Sequence, residues 1–258
     1  MNYSLIRGIK KGTIVFIHGN SSSSEVFKDI MNSNKITQSK LALDLPGHGK
    51  STDIHNEEED FTMKSYSEKI ISILNQIDDD ILICGNSLGG HIAIEISKRI
   101  TRLKGLVIFG TPPLKKPLNF EEAILPMSEL QIYSLEYATD LEIETAVNII
   151  VFNKKVVDIF IKSYKETNPK IRKALANDFA NNNWSNQFEI FTNLTIPKFI
   201  IAGAHDTCIK TEYLLQVVNN SKGICELIII KGCGHYPSIE QPLQFIDIIK
   251  KITAKVFT

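Results

Sequence analysis

A chain of 258 residues, 43% hydrophobic and 22% charged, can build one large domain or a domain with an insertion, and needs no metal or disulfide to hold its core. Lys and Arg total 29 and so do Asp and Glu, a balance that argues against a polyanionic partner such as nucleic acid and for a small ligand of little or no charge. Met1 to Gly8 lack the apolar core of a signal peptide, no apolar run is long enough for a bilayer, and four cysteines make no disulfide framework. These features predict reduced thiols in a cytoplasmic protein, monomeric or homodimeric, without a membrane partner.

In chain order, Asn2–Arg7 reads as an edge strand, with Gly8 and Gly12 bracketing a turn, and Thr13–Ile17 as the first core strand. Lys40–Leu43 follows. Met63, Tyr66, Ile70, Ile73, Leu74 and Ile77 then share a helical face, with Asp60 or Thr62 as N-cap and an acidic stop at Asp78–Asp80. The strand Ile81–Cys84 leads through glycines into a second helix striped by Ile92, Ala93, Ile96 and Ile100. Gly105–Phe109 is the next strand. From Pro112 to Thr195 only helical periodicity remains. Strands resume at Lys198–Ala202 and Cys225–Ile230, and a last helix opens near Pro242. The strands read as near-continuous β-branched or Leu runs, the mark of a sheet covered on both faces. The fold class is therefore α/β: a mostly parallel, doubly wound sheet built from 1–111 and 196–258, with 112–195 as a helical insertion.

Gly85-Asn86-Ser87-Leu88-Gly89 matches G-x-S-x-G and lies between a strand and a helix, the context in which that pattern presents a nucleophile. The chain must reverse from strand to helix within two residues, which strains the serine backbone. Gly85 and Gly89 remove clashing side chains, and Gly90 permits close helix–strand packing. Ser87 then stands at the carboxyl edge of the sheet, where doubly wound folds place their sites.

A serine nucleophile needs a base, and six histidines compete. His18 ends the first core strand, His48 lies in the turn Pro46–Gly49, His55 in a polar loop, and His91 on the helix after the elbow. His205 precedes an acid. His235, in Gly232-Cys233-Gly234-His235, follows the last strand, and its glycines let the loop reach over the sheet edge. Asp206, directly after Lys198–Ala202, completes the chain order Ser, Asp, His, whereas no acid closely follows Gly105–Phe109. For the oxyanion, the backbone N–H groups of Asn20 and Leu88 are the candidate donors. The side chains of Asn20 and Ser21 are further candidates for substrate contact, and Ser21–Ser24 can also cap the next helix.

From Thr13 onward the sequence resembles the α/β-hydrolase superfamily, on His18-Gly19-Asn20, Asp44–Ser51, Gly85–Gly90, Gly203–Asp206 and Gly232–His235. The resemblance implies an α/β-hydrolase fold in which 112–195 is a lid. Within the superfamily the chain looks most like the metal-independent N-acyl-homoserine-lactone lactonases. That likeness rests on His18–Ser23, Asp44–Asp53, Ser87–Ile92, Gly110-Thr111-Pro112-Pro113 and Asn186-Gln187. It implies a serine hydrolase that cleaves an ester or lactone without metal or cofactor. Asn86 and the insertion depart from the pattern.

Dehalogenases and epoxide hydrolases of the superfamily use an aspartate where this chain has Ser87. Carboxylesterases, thioesterases, and carbon–carbon bond hydrolases or lyases keep the serine and stay open as alternatives, as does a ligand receptor without turnover. His205, Asp206, Cys208, Cys233 and His235 include ligand-type residues, but the chain has no recognised zinc spacing and lacks H-x-H-x-D-H.

Overall fold

The structure is a computed structural model that describes residues 1–52 and 58–257. Among these residues, seven strands form one sheet: β1 (Tyr3–Ile6), β2 (Lys10–Ile17), β3 (Gln38–Leu43), β4 (Ile81–Asn86), β5 (Leu103–Phe109), β6 (Lys198–Gly203) and β7 (Cys225–Ile230). Their order is β1-β3-β2-β4-β5-β6-β7, and only β1 runs antiparallel to its neighbour. The expected mostly parallel sheet is present, with β1 as the edge strand. Several strands outrun the apolar runs that mark them in the sequence: β2 starts at Lys10, β3 at Gln38, and β4 continues to Asn86. Ladder hydrogen bonds persist where side chains turn polar, so hydrophobicity underestimates strand ends.

Among the described residues, ten α-helices flank the sheet or fill the insertion: α1 (Lys28–Asn32), α2 (Met63–Leu74), α3 (Leu88–Ile96), α4 (Asp140–Ile150), α5 (Val157–Glu166), α6 (Lys170–Ala180), α7 (Gln187–Asn193), α8 (Thr211–Asn219), α9 (Pro237–Glu240) and α10 (Pro242–Val256). Thr62, one of the two anticipated caps, accepts from Ser65 N–H at 3.2 Å to open α2. Phe245, Ile246, Ile249 and Ile252 form the buried stripe of α10. Between β5 and β6, residues 112–195 carry α4–α7 and, among the described residues, no strand. An isolated bridge, Ile124 to Ile209, ties this insertion to the loop after β6. A reciprocal cap opens α4, where Thr139 accepts from Glu142 N–H while the Glu142 carboxylate accepts from Thr139 N–H.

β4 is buried along its whole length and is paired by β2 and β5. Its register sets Gly85 beside Ile17 and Ile108, while Phe109 pairs with Ile201 on β6. The carboxyl ends of four adjacent strands are thus level, and the loops that leave them meet at one edge. His55 and Asp53 lie outside the described residues.

Candidate active site

Ser87 occupies the turn between β4 and α3 with φ 50° and ψ −118°, a left-handed backbone that costs a non-glycine residue on the order of 1–3 kcal/mol. The surroundings leave it little freedom. Ser87 N–H donates to Phe109 C=O at 2.9 Å, and Ser87 C=O accepts from the Thr111 hydroxyl at 2.9 Å and from His91 N–H at 3.1 Å. A Cβ on Gly85 would collide with the backbone of Gly89, one on Gly89 with the Ile17 and His18 carbonyls, and one on Gly90 with the Thr111 hydroxyl. The three glycines have the roles expected of them. The helix itself opens at Leu88, two residues before the position anticipated from Gly90.

His235 and Asp206 are brought together. His235 Nδ1 lies 3.0 Å from Asp206 Oδ2, and both side chains are buried. The other Asp206 oxygen accepts from Cys208 N–H at 2.8 Å. Burial, the largest single influence, opposes a charged imidazole here, but the Asp206 carboxylate and the neighbouring Cys208 together outweigh it and hold the His235 pKa well above its ordinary 6.5. With Nδ1 turned to Asp206, Nε2 is the free ring atom; a Cβ on Gly110, at the end of β5, would lie 2.9 Å from it. Ser87 and His235 line one cavity. The Ser87 hydroxyl makes no hydrogen bond to another described residue, a looseness common in unliganded sites.

Two residues hold the His235 loop in place, and sequence reasoning gave neither this role. Asn86 Nδ2 donates to Phe109 C=O at 3.1 Å and to His235 C=O at 3.3 Å. The residue that departs from the lactonase pattern therefore joins the elbow to the histidine loop. The buried Glu240 accepts from Gly234 N–H at 3.0 Å and Tyr236 N–H at 2.9 Å, and also from Phe152 N–H at 2.8 Å and Asn153 N–H at 2.9 Å in the insertion. His235 N–H itself donates to Ile150 C=O, the end of α4, at 3.0 Å. The only sequence signal for Glu240 is a single acid in the apolar, proline-flanked stretch Tyr236–Pro242.

The loop after β2 packs directly on the elbow, since a Cβ on Gly19 would stand 3.0 Å from Ser87 Cβ. Asn20 and Leu88 line the cavity beside Ser87. Leu88 N–H belongs to the first turn of α3, which has no acceptor within the helix, and Asn20 N–H has no partner among the described residues. The side chains of Asn20 and Ser21 differ from expectation. Asn20 Nδ2 donates to Tyr133 C=O at 3.1 Å, its Oδ1 accepts from the Ser21 hydroxyl at 3.2 Å, and Ser21 Oγ accepts from Arg172 Nη1 at 3.3 Å. Both are spent in joining the core to the insertion. Within the run Ser21–Ser24, Ser23 caps the short helix that follows, accepting from Glu25 N–H. His18 and His48 are buried acceptors that fix loops, taking Leu45 N–H at 3.0 Å and Ser21 N–H at 3.1 Å on their Nε2 atoms. His205 stacks on Phe152 with centroids 4.0 Å apart.

The cavity above Ser87 encloses about 500 Å³ and is lined mainly by apolar groups of the insertion, among them Phe120, Leu130, Leu175, Phe179 and Trp184. His91 also lines it, with Nδ1 2.6 Å from Gln187 Oε1. Asp206, Cys208 and His235 offer donor atoms within 4.8 Å of one another, the one such cluster among the described residues. Of the five residues weighed as ligands, His205 and Cys233 fall outside it.

The comparisons agree with this architecture. Among curated proteins, "Putative esterase/lipase 1" of Mycoplasma pneumoniae is 23% identical over 268 residues, covering 96% of this chain and 93% of its own. Among solved structures, AidH, an N-acyl homoserine lactonase complexed with N-hexanoyl homoserine lactone, superposes with a TM-score of 0.84 at 24% identity, over 97% of this chain and 92% of that one. A thermophilic esterase of Thermogutta terrifontis gives 0.81 at 18% identity, over 100% and 94%. At these identities the likeness is one of fold. Residues 14–248 match the family model described as "Alpha/beta hydrolase family", so the chain belongs to the alpha/beta hydrolase family.

Proposed function

We propose that the protein is a serine hydrolase that opens N-acyl homoserine lactones through an acyl-enzyme. The observation that carries this reading is the strained Ser87 turn sharing a largely apolar cavity with a buried His235–Asp206 pair. In the reaction His235 Nε2 takes the Ser87 proton as Oγ attacks the lactone carbonyl. Asp206 fixes the Nδ1–H tautomer and stabilises the imidazolium. Asn20 N–H and Leu88 N–H receive the oxyanion, each such donor contributing about 3–4 kcal/mol. When the ring C–O bond breaks, His235 returns the proton to the departing alkoxide, which stays tethered in the acyl-enzyme. Water, deprotonated by His235, then attacks the ester, and His235 returns that proton to Ser87 Oγ as the hydroxy acid is released. The insertion acts as a lid whose apolar lining receives the acyl chain.

The test is a panel of N-acyl homoserine lactones, short carboxylic esters and thioesters ranked by kcat/KM. The lactones are expected to lead, with a chain-length optimum set by the lid. A flat ranking led by short linear esters would replace the lactonase reading with that of a general carboxylesterase.

A further inference from the structure

One cavity-lining group has no part in the mechanism above. His91 sits a turn beyond Ser87 on α3, its N–H bonded to the Ser87 carbonyl at 3.1 Å. Residues four apart on a helix are neighbours, with Cβ atoms about 5–6 Å apart. Its imidazole faces the cavity beside Trp184, with ring centroids 5.2 Å apart. The indole N–H of Trp184 is spent on Asp178 Oδ2 at 2.9 Å, so the tryptophan offers the cavity only its hydrocarbon faces.

A chain of three side chains decides which His91 nitrogen carries the proton. Glu95 Oε1 accepts from Ser185 N–H at 2.9 Å and from Gln187 Nε2 at 3.0 Å. A carboxylate can only accept, so the Gln187 amide must turn its NH₂ to Glu95 and its oxygen to His91. Gln187 Oε1 in turn requires a donor, and Nδ1, 2.6 Å away, must be the N–H. Burial first, and the nearby His235, lower the His91 pKa to about 4 against the Gln187 bond, so the ring is neutral at pH 7. A neutral ring protonated at Nδ1 presents Nε2 as a bare acceptor. Nε2 has no partner among the described residues, yet it is not one of the sealed, unpartnered polar atoms, so it opens to the cavity.

We propose that His91 Nε2 is a specificity site that accepts a hydrogen bond from an amide N–H next to the scissile carbonyl, selecting N-acylamino esters and lactones over plain ones. This rests on the serine-hydrolase reading and narrows its substrate class. A neutral acceptor beside an oxyanion site built of donors calls for a donor on the acyl side of the substrate. The rest of the lining is mainly apolar, so the donor is best carried between the carbonyl and a hydrocarbon tail. A secondary amide meets both conditions without bringing charge into the cavity. An unmet buried acceptor is costly, so substrates that lack the N–H are discriminated against.

The test compares matched substrates on wild-type enzyme and His91→Phe. One pair is N-hexanoyl homoserine lactone and the lactone in which CH₂ replaces its N–H. The other is the ethyl ester of N-hexanoylglycine and its CH₂ counterpart, each rate divided by that of hydroxide hydrolysis. Wild type is expected to favour the amide member by roughly tenfold or more in kcat/KM, and His91→Phe to bring the ratio near one. Equal turnover by wild type, or an undiminished ratio in the variant, overturns the proposal. If the variant fails to fold, the N-methyl amide of each substrate on wild type decides instead: turnover as fast as the N–H amide overturns the proposal, and a loss of about tenfold supports it. If neither lactone is cleaved, the lactonase reading fails while the ester pair still decides the role of His91.

Discussion

Asn86 reaches across from the elbow to hold the carbonyl of His235 at 3.3 Å, so the residue preceding Ser87 also steadies the loop that carries His235. Asn86→Ala removes that bond and the one to Phe109 C=O at 3.1 Å. A typical net hydrogen bond is worth about 0.5–1.5 kcal/mol, so loss of the bond to the His235 loop should lower kcat roughly 2–13-fold with KM little changed. Steady-state kinetics on any turned-over ester reads this; a variant altered only in KM would place Asn86 in substrate binding.

Ser87→Ala should lower kcat on the order of 10⁴–10⁶-fold while circular dichroism stays native. Wild type should also be inactivated by an organophosphonate, with one adduct per chain at Ser87 by mass spectrometry. Labelling elsewhere, or retained turnover in the variant, refutes a nucleophilic role for this residue.

If His235 acts as the proposed base it must be unprotonated, and Asp206 with Cys208 holds its pKa well above 6.5. kcat/KM should therefore rise with pH through an apparent pKa above that value and stay high on the alkaline side. Asp206→Asn removes the raising charge, so the acid limb should move down while the plateau drops about 10⁴-fold. An acid limb below 6.5 in wild type contradicts the assignment.

Asp206, Cys208 and His235 place donors within 4.8 Å of one another, a set suited to a soft divalent ion. Added Zn²⁺ should inhibit by ligating the base, with recovery on addition of EDTA. EDTA alone should leave turnover unchanged. Cys208→Ala, compared with its own uninhibited rate, should need at least roughly tenfold more zinc for half-inhibition.

His91 titrates at about 4, against 6.5 when unfolded, and burial lowers His18 and His48 in the same direction. In the window from about 6.5 down to about 4 the unfolded chain binds more protons than the folded one, so stability should fall as pH falls. Urea midpoints at pH 6, 5.5 and 5 should decrease in that order, whereas above about 6.5 the raised His235 pKa acts in the opposite direction. The ¹⁵N spectrum should report His91 as a neutral Nδ1–H tautomer at pH 6.

The sheet was legible because its strands are apolar runs of the right length, and the elbow because three glycines can only be read as close packing. Chain order, placement after strands and elimination of rivals pointed to Asp206 and His235, which the fold sets 3.0 Å apart. Pairings across the insertion were not legible. Gln187 lies 96 positions from His91, and Glu240 is 88 from Phe152; neither spacing has a period, so nothing local announces them. Asn20 and Ser21 misled for a related reason. Polar side chains near a nucleophile read as substrate contacts until their partners, Tyr133 and Arg172, are known.

Glu240 has one more consequence. Its carboxylate is bonded at once to the backbone on either side of His235 and to Phe152 and Asn153, just past α4. That end of the insertion is anchored to the machinery beneath it, and lifting it would pull the imidazole out of register. The bridge between Ile124 and Ile209 and the bond from Leu125 N–H to Cys208 C=O at 2.8 Å fasten a second stretch of the insertion to the loop after β6, so the roof of the cavity and the Asp206–His235 pair are held as one unit.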